Sequence, residues 1–139
     1  MAKIMIREEI TDVLFATSRP GYDYGANAPV SPEVVAHWIA EVESMGAKSI
    51  ICLLNDQHLK LYGALPDGLL QAYRDAGFEV GHVPVVDHQR PPLSGSELKS
   101  VEQHFNELPK PILIHCSAGV DRTGAAVRYL KTLPSDSTN

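Results

Sequence analysis

A cysteine and an arginine with five residues between them are the residues of this chain best spaced to carry out chemistry together. The segment His115–Gly124 reads H-C-S-A-G-V-D-R-T-G, so Cys116 and Arg122 enclose a short loop that contains a glycine and is followed by Thr123. The apolar run Pro111–Ile114 precedes the segment, and helix-forming residues follow it. This order predicts a strand, a tight loop and the start of a helix.

Such a loop suits a phosphate-like anion and a nucleophilic sulfur. Backbone N–H groups of a loop at a helix N-terminus can point inward and cradle an anion. The same electric field stabilises the thiolate of Cys116, which is the nucleophilic form of a cysteine. Arg122 can hold two phosphate oxygens with its planar guanidinium group. The Thr123 hydroxyl could donate a hydrogen bond to the sulfur and make it a better leaving group.

The segment resembles the phosphate-binding loop of the protein tyrosine and dual-specificity phosphatase superfamily, H-C-x-x-G-x-x-R-[S/T]-G. Every fixed position of that pattern is present, as His115, Cys116, Gly119, Arg122, Thr123 and Gly124. The resemblance implies a compact phosphatase in which Cys116 is the nucleophile and Arg122 binds the phosphate. It also implies anion contacts from the loop amides of Ser117, Ala118, Gly119, Val120 and Asp121. The alternative is a chance loop around a structural cysteine, which a complete motif between a predicted strand and helix disfavours.

A phosphatase of this kind also needs a proton donor for the departing oxygen. The resemblance implies a donor upstream, on a Pro-x-x-Asp segment after a strand, and Val83–Leu93 (V-P-V-V-D-H-Q-R-P-P-L) contains that pattern. We therefore predict that Asp87 is the acid and later activates water against a phosphocysteine. Two alternatives stay open: a turn aspartate in a proline-rich loop, and Asp56 as the acid, because L-N-D-Q-H follows another predicted strand.

Cys52, Tyr22, Tyr24 and His88 invite functional interpretations as well. Cys52 could trap an oxidised Cys116 as a disulfide, although a small buried apolar residue is the simpler interpretation. Tyr22 and Tyr24 could wall the pocket and stack on an aromatic phosphoester, but loop tyrosines often have no such role. His88 could be a second acid or a metal ligand, yet the histidines lack H-x-x-x-H spacing, which favours a surface position. We predict no metal and no other cofactor.

Composition limits the class of protein. The chain has 139 residues, of which 44% are hydrophobic, and this fits one domain over 1–139 with a polar tail over 134–139. A net charge of -5 disfavours broad binding to nucleic acid or to an anionic membrane. Two cysteines are too few for a disulfide framework and indicate a reducing compartment. No signal-peptide pattern or membrane-length apolar run is present, so we expect a cytoplasmic protein without a membrane anchor.

Apolar patterning predicts alternating strands and helices. The predicted strands are Thr11–Thr17, Lys48–Leu54, Phe78–Val85 and Pro111–His115. The predicted helices run from the cap Ser31 to Gly46, over Pro66–Ala76, from the capping box Ser94–Glu97 onward, and from the cysteine loop to about Leu133. Trp38 lies on the apolar face of the first helix and is predicted to be a core residue.

This alternation predicts an α/β fold, with a single domain and a largely parallel twisted sheet flanked by helices. The phosphate-binding loop would connect a strand to a helix. Ligands bind beyond the carboxyl ends of the strands in such sheets. Because Cys116, Asp87 and Asp56 all follow predicted strand ends, we expect them at one edge of the sheet.

These observations favour a cysteine-dependent phosphomonoesterase that acts on phosphotyrosine in proteins or peptides, and also on phosphoserine or phosphothreonine. Phosphoinositides and RNA 5′ ends are alternative substrates, which the acidic pI disfavours. A phosphate-recognition module without turnover and a sulfur-transfer enzyme are alternatives from other classes. Because little chain follows the loop helix, an apolar patch on that helix could bind a second copy, so weak self-association is a further hypothesis.

Overall fold

A five-stranded sheet forms the centre of the structure, a computed structural model that describes residues 4–23 and 27–134. Its strands are β1 (Arg7–Ile10), β2 (Leu14–Thr17), β3 (Ser49–Cys52), β4 (Glu79–His82) and β5 (Ile112–His115). They lie in the order β1-β2-β5-β3-β4, in which β1 is antiparallel to β2 and the other neighbours are parallel. The predicted α/β fold with a largely parallel sheet is confirmed.

The helices are α1 (Pro32–Ser44), α2 (Asp56–Leu59), α3 (Gly68–Asp75), α4 (Gly95–Glu107) and α5 (Asp121–Lys131), with a 3₁₀ turn over Lys60–Tyr62. Ser31 caps α1 by accepting a hydrogen bond from the Val34 N–H, as predicted. The predicted capping box of Ser94 and Glu97 is also present at the start of α4. Within the described ranges, none of the helices has the length and apolar character of a bilayer-spanning segment.

The sheet separates two hydrophobic layers. Ile112 and Ile114 of β5 pack with buried residues of α4 and α5, whereas Leu113 packs with α1 and α3 on the other side. This alternation follows from the pleat, which turns successive side chains to opposite faces. Trp38 belongs to the second layer and is 1% exposed, so its predicted core position is confirmed.

The prediction for the N-terminal strand was wrong in part. Residues 11–13 form a turn rather than a strand, and β2 begins only at Leu14. Asp12 adopts a positive φ of 61° there, and its N–H donates to Glu8 Oε2 (2.9 Å). The sequence analysis also missed β1, because an edge strand of sequence R-E-E-I, paired on one side only, shows no apolar alternation.

The carboxyl ends of the parallel strands lie at one edge of the sheet, as predicted. Thr17 of β2 and Cys52 of β3 are both in register with His115 of β5. The residues that follow these strands therefore emerge side by side. Cys116 is the residue that follows β5, in the centre of this edge.

Candidate active site

Cys116 and the loop after it, residues 116–120, are packed tightly against the end of β2. Cys116 is 2% exposed, and α5 begins directly after the loop. Gly119 has a φ of +78°, and a Cβ at this position would lie 2.6 Å from the Thr17 carbonyl oxygen. Arg7 Nη2 donates to the Gly119 carbonyl oxygen (2.7 Å). Only glycine fits this position, which explains why the motif has a glycine at its centre.

Arg122 holds its guanidinium group between the loop and the segment after β4. The residue is 2% exposed, and Nη1 donates to the carbonyl oxygens of Val85 (2.9 Å) and Leu53 (3.4 Å). Its Nη2 lies 3.4 Å from Asp87 Oδ1. These contacts orient the guanidinium group before any ligand binds.

Asp87 reaches the same site from the turn after β4. Its side chain is 31% exposed, and its Oδ1 accepts a hydrogen bond from the His88 N–H (3.1 Å). Oδ2 lies 3.3 Å from His88 Nε2 and 3.8 Å from His58 Nε2. The structure therefore places Asp87, the predicted acid, beside the predicted phosphate loop and in contact with Arg122.

His58 is a site residue that the sequence analysis missed. Its side chain is 7% exposed, and its Nδ1 has no hydrogen-bond partner among the described residues. Burial and the positive charge of Arg122 lower the pKa of His58, against the raising effect of Asp87. His58 is thus neutral at neutral pH.

The short helix α2 explains why His58 and not Asp56 faces the site. Asn55 caps this helix by accepting a hydrogen bond from the His58 N–H (3.2 Å). The resulting turn exposes Asp56 and buries His58. Asp56 does not line the cleft described next, whereas His58 does. The Asn cap in L-N-D-Q-H was the available signal for this turn.

A cleft of about 320 Å³ opens above Cys116. Its described lining consists of Tyr22, Asn27, His58, Asp87, His88, Cys116, Ser117, Ala118, Val120, Asp121 and Arg122. Arg122 is the only arginine or lysine in this set, which also contains two carboxylates. Asp121 and Val120 are exposed at the rim, with Val120 64% exposed. Tyr22 lines the cleft, which favours the alternative of a pocket tyrosine over that of a loop tyrosine with no such role. Tyr24 lies outside the described residues.

His88 is a surface residue, as predicted, with a side chain that is 83% exposed. No group of three histidine, cysteine, aspartate or glutamate side chains in the described ranges is arranged to hold a metal ion.

His115, the first residue of the motif, is part of a buried hydrogen-bond chain. Its Nδ1 contacts the Cys116 carbonyl oxygen (3.0 Å), and its Nε2 contacts the Tyr73 hydroxyl (2.9 Å). A carbonyl can only accept, so Nδ1 carries the proton and Nε2 accepts from Tyr73. Burial lowers the pKa of His115 to about 4. The imidazole is therefore neutral and fixed in one tautomer.

Thr123 is fully buried at the start of α5, and its Oγ1 has no hydrogen-bond partner among the described residues. Ser117 is 8% exposed and accepts a hydrogen bond from Arg19 Nε (3.0 Å). Arg19 is a second buried arginine of the site that sequence reasoning missed.

Cys52 is a free, fully buried thiol. It packs in the layer of Trp38 and Tyr73, whereas Cys116 belongs to the layer on the other side of the sheet. Burial raises the pKa of Cys52 to about 12, so it stays protonated. These observations favour the interpretation of Cys52 as a small core residue.

The arrangement has the components of nucleophilic substitution at a phosphate. A buried sulfur, an oriented guanidinium group and a partly exposed carboxyl group surround one cleft at a helix N-terminus. A helix N-terminus and a guanidinium group both favour a bound anion. The carboxyl group of Asp87 is partly accessible to solvent, as the predicted acid role requires.

Comparisons with known proteins agree with this geometry. The family model described as "Polymorphic toxin system, DSP-PTPase phosphatase" matches residues 24–132. No curated protein shows significant sequence similarity to the chain.

Several solved phosphatase structures share the fold. Kinase associated phosphatase, with its catalytic-site cysteine substituted by serine, is 22% identical with a TM-score of 0.63, covering 90% of this chain and 70% of that one. The catalytic core of the PP-IP phosphatase Siw14 from S. cerevisiae is 22% identical with a TM-score of 0.57, covering 95% and 72%. Tk-PTP in its active form is 20% identical with a TM-score of 0.56, covering 96% and 79%.

Proposed function

Because the chain belongs to the DSP-PTPase phosphatase family of polymorphic toxin systems, we propose that it hydrolyses phosphomonoesters on proteins through a phosphocysteine intermediate. Phosphotyrosine is the preferred substrate in this proposal, and phosphoserine and phosphothreonine are further substrates. One observation carries it: Arg122 Nη2 lies 3.4 Å from Asp87 Oδ1 at the cleft that Cys116 lines. The residues proposed as nucleophile, phosphate-binding group and acid therefore share one cleft.

In the first step, the Cys116 thiolate attacks phosphorus, so that an S–P bond forms as the bond from phosphorus to the ester oxygen breaks. Asp87, protonated at this stage, donates its proton to the departing oxygen. Arg122 and the backbone N–H groups of residues 117–121 bind the nonbridging oxygens. The product is a dephosphorylated protein and a phosphocysteine.

In the second step, the Asp87 carboxylate takes a proton from water while the water oxygen attacks phosphorus. The new P–O bond forms as the S–P bond breaks, and inorganic phosphate leaves. The Thr123 hydroxyl donates a hydrogen bond to the departing sulfur in this proposal and so stabilises the thiolate that forms. Its burial without a partner among the described residues supports such a role.

The cleft lining supports a protein substrate over a highly phosphorylated small molecule. Arg122 is the only arginine or lysine among the described lining residues, and Asp121 adds a negative charge at the rim. A ligand with several phosphates would meet repulsion at this rim. Tyr22 and the exposed Val120 offer apolar contact to the ring of a phosphotyrosine.

Cellular setting and assembly belong to the proposal as well. A reactive Cys116 requires a reducing compartment, so we place the protein in the cytoplasm. Weak self-association through an apolar patch on α5 stays a prediction. The apolar residues Ala126, Val127 and Leu130 of this helix are buried in the core, so they do not form such a patch.

The nucleophile is tested by hydrolysis of an aryl phosphate in the presence of a metal chelator. We expect activity in the wild type, inhibition by vanadate, and complete loss in Cys116→Ser. Cys52→Ala is the matched control, because it removes the other thiol from the opposite face of the sheet, and it should retain activity. Activity that survives Cys116→Ser would contradict the proposed mechanism.

The substrate is tested with a panel of phosphopeptides and phosphorylated inositols. Asp87→Ala should bind phosphotyrosine peptides stably, since both chemical steps of the proposed mechanism use the Asp87 carboxyl group and are slowed without it. Preferential turnover of a phosphorylated inositol would contradict a protein substrate and identify phosphorylated inositols as the substrate class. Slow release of bound phosphopeptide, with no phosphate produced by the wild type, would instead identify a recognition module.

A further inference from the structure

Arg19 is a buried arginine that contacts the phosphate loop and that the proposed chemistry does not use. It follows β2 closely and is 1% exposed. Its backbone N–H donates to the Ser117 carbonyl oxygen (2.9 Å), and its Nε donates to Ser117 Oγ (3.0 Å). The main chain and the side chain of Arg19 thus both hold the residue next to the nucleophile.

A buried tyrosine orients the guanidinium group of Arg19 from the other side. Arg19 Nη1 donates to the Tyr62 hydroxyl (3.2 Å), and this hydroxyl donates its own hydrogen to the Pro20 carbonyl oxygen (2.6 Å). Burial raises the pKa of Tyr62 to about 12, so the hydroxyl keeps its hydrogen. A fully buried charge is costly unless it is well bonded, and these contacts fix where the charge lies.

The contact with Arg19 has a consequence for the hydroxyl hydrogen of Ser117. A serine hydroxyl has one hydrogen to donate and lone pairs that accept. Because Ser117 Oγ accepts from a cation, its hydrogen is left for a different acceptor, and the O–H bond is polarised. Ser117 lines the cleft. An anion bound there would supply the acceptor.

The positive charge of Arg19 also reaches other residues around the cleft. Burial lowers the pKa of His58 and of His115, and the charges of Arg122 and Arg19 both act in the same direction on each histidine. Two buried guanidinium groups therefore contribute to the field near Cys116. A phosphate monoester carries two negative charges at neutral pH, which matches that field.

We propose that Arg19 is a positioning residue for the anion, which fixes Ser117 so that the Ser117 hydroxyl donates a hydrogen bond to a nonbridging oxygen of the bound phosphoryl group. The inference rests on the proposed function for the identity of the anion. It requires anion binding only, and no turnover.

Binding of inorganic phosphate to the Cys116→Ser protein, measured by isothermal titration calorimetry, tests the inference. Adding Arg19→Gln should weaken binding about 10-fold, as expected for loss of one charge-assisted hydrogen bond. Adding Ser117→Ala should weaken it similarly. The two changes together should cost no more than either alone, because both remove the same contact. Arg74→Gln is the matched control, since it removes an exposed arginine from α3.

Thermal unfolding of each variant separates positioning from folding. If Arg19→Gln does not fold, Ser117→Ala still tests the contact while keeping the arginine. Unchanged phosphate affinity in folded Ser117→Ala, or fully additive losses in the double variant, would overturn the inference. If the wild type hydrolyses no phosphate ester but phosphate binding follows the expected pattern, the proposed function fails and the inference on Arg19 stands.

Discussion

The proposed phosphate loop, residues 116–120, and the segment that carries the proposed acid, residues 83–93 (the acid segment), differ in how they are held. Arg7, Arg19 and the end of β2 contact the loop, and both Cys116 and Arg122 are at most 2% exposed. The acid segment is open: Val86 is 60% exposed and the His88 side chain 83%. A nucleophile and an anion cradle gain from rigidity. An acid that exchanges protons with solvent needs access to water.

Replacement of Arg122 is expected to have the largest effect, because this residue connects the two regions. Arg122→Lys would keep the charge but lose the two carbonyl contacts of Nη1 and the planar grip on phosphate. We expect kcat/KM for an aryl phosphate to fall on the order of 10³-fold. Arg74→Lys, on the exposed face of α3, is the control and should match the wild type. A lysine variant with near-normal kcat/KM would show that a positive charge at this position suffices for activity, without the planar guanidinium group.

Replacement of Asp87 tests the acid segment alone. Asp87→Asn cannot donate the proton, so we expect kcat to fall roughly 10²-fold to 10³-fold for a poor leaving group and less for a good one. One limb of the pH-rate profile should disappear.

Asp56→Asn is the comparison that decides between the two candidate acids. Asp56 is exposed and does not line the cleft. We expect its variant to keep both limbs of the profile. The reverse result would transfer the role of the acid to Asp56.

The contrast between the two regions also explains what sequence reasoning predicted well. The loop is a local motif, so Cys116 and Arg122 could be placed from spacing, with a strand before them and a helix after. Caps at Ser31 and Ser94 and the parallel strands were predictable for the same reason. Each depends on residues that are neighbours in the chain.

The missed features depend on contacts between distant parts of the chain. Arg19 is 98 residues from Ser117 in sequence, and no local pattern distinguishes it from an exposed loop arginine. His58 faces the site only because a four-residue helix, too short to show periodicity, turns it inward. The edge strand β1 reads R-E-E-I, with three charged residues and one apolar residue, so it shows no apolar alternation. Charge and short length conceal such elements from pattern analysis.

The tight packing of the loop predicts a stability difference between two glycines. Gly119 and Gly46 both have positive φ, at 78° and 90°, but only Gly119 has backbone atoms in the position of a Cβ. Gly46→Ala should cost about 1 kcal/mol of unfolding free energy from backbone strain. Gly119→Ala should cost about 3 kcal/mol, because the end of β2 must also shift. Urea unfolding measures both, and equal costs would contradict the close approach of loop and strand.

A further effect, smaller than that of Gly119→Ala, concerns the neutral His115 behind the loop, and it appears as a dependence of stability on pH. Burial lowers the pKa of His115 to about 4, below the ordinary value of 6.5. The unfolded chain therefore binds a proton at this site between those values, while the folded protein does not. This contribution to stability is complete above pH 6.5 and is lost as pH falls toward 4.

We expect His115 to reduce the unfolding free energy by about 2 kcal/mol between pH 7.5 and pH 5. His115→Asn places an amide near the donor position of Nδ1 and cannot titrate. The stability difference between the wild type and this variant, measured by urea unfolding, should therefore shrink by that amount as pH falls. His37→Asn, which replaces a partly exposed histidine of α1, is the control for general acid effects. A stability difference that stays constant with pH would show that His115 is not held neutral behind the loop. It would also contradict the contrast drawn above between a rigidly held loop and an open acid segment.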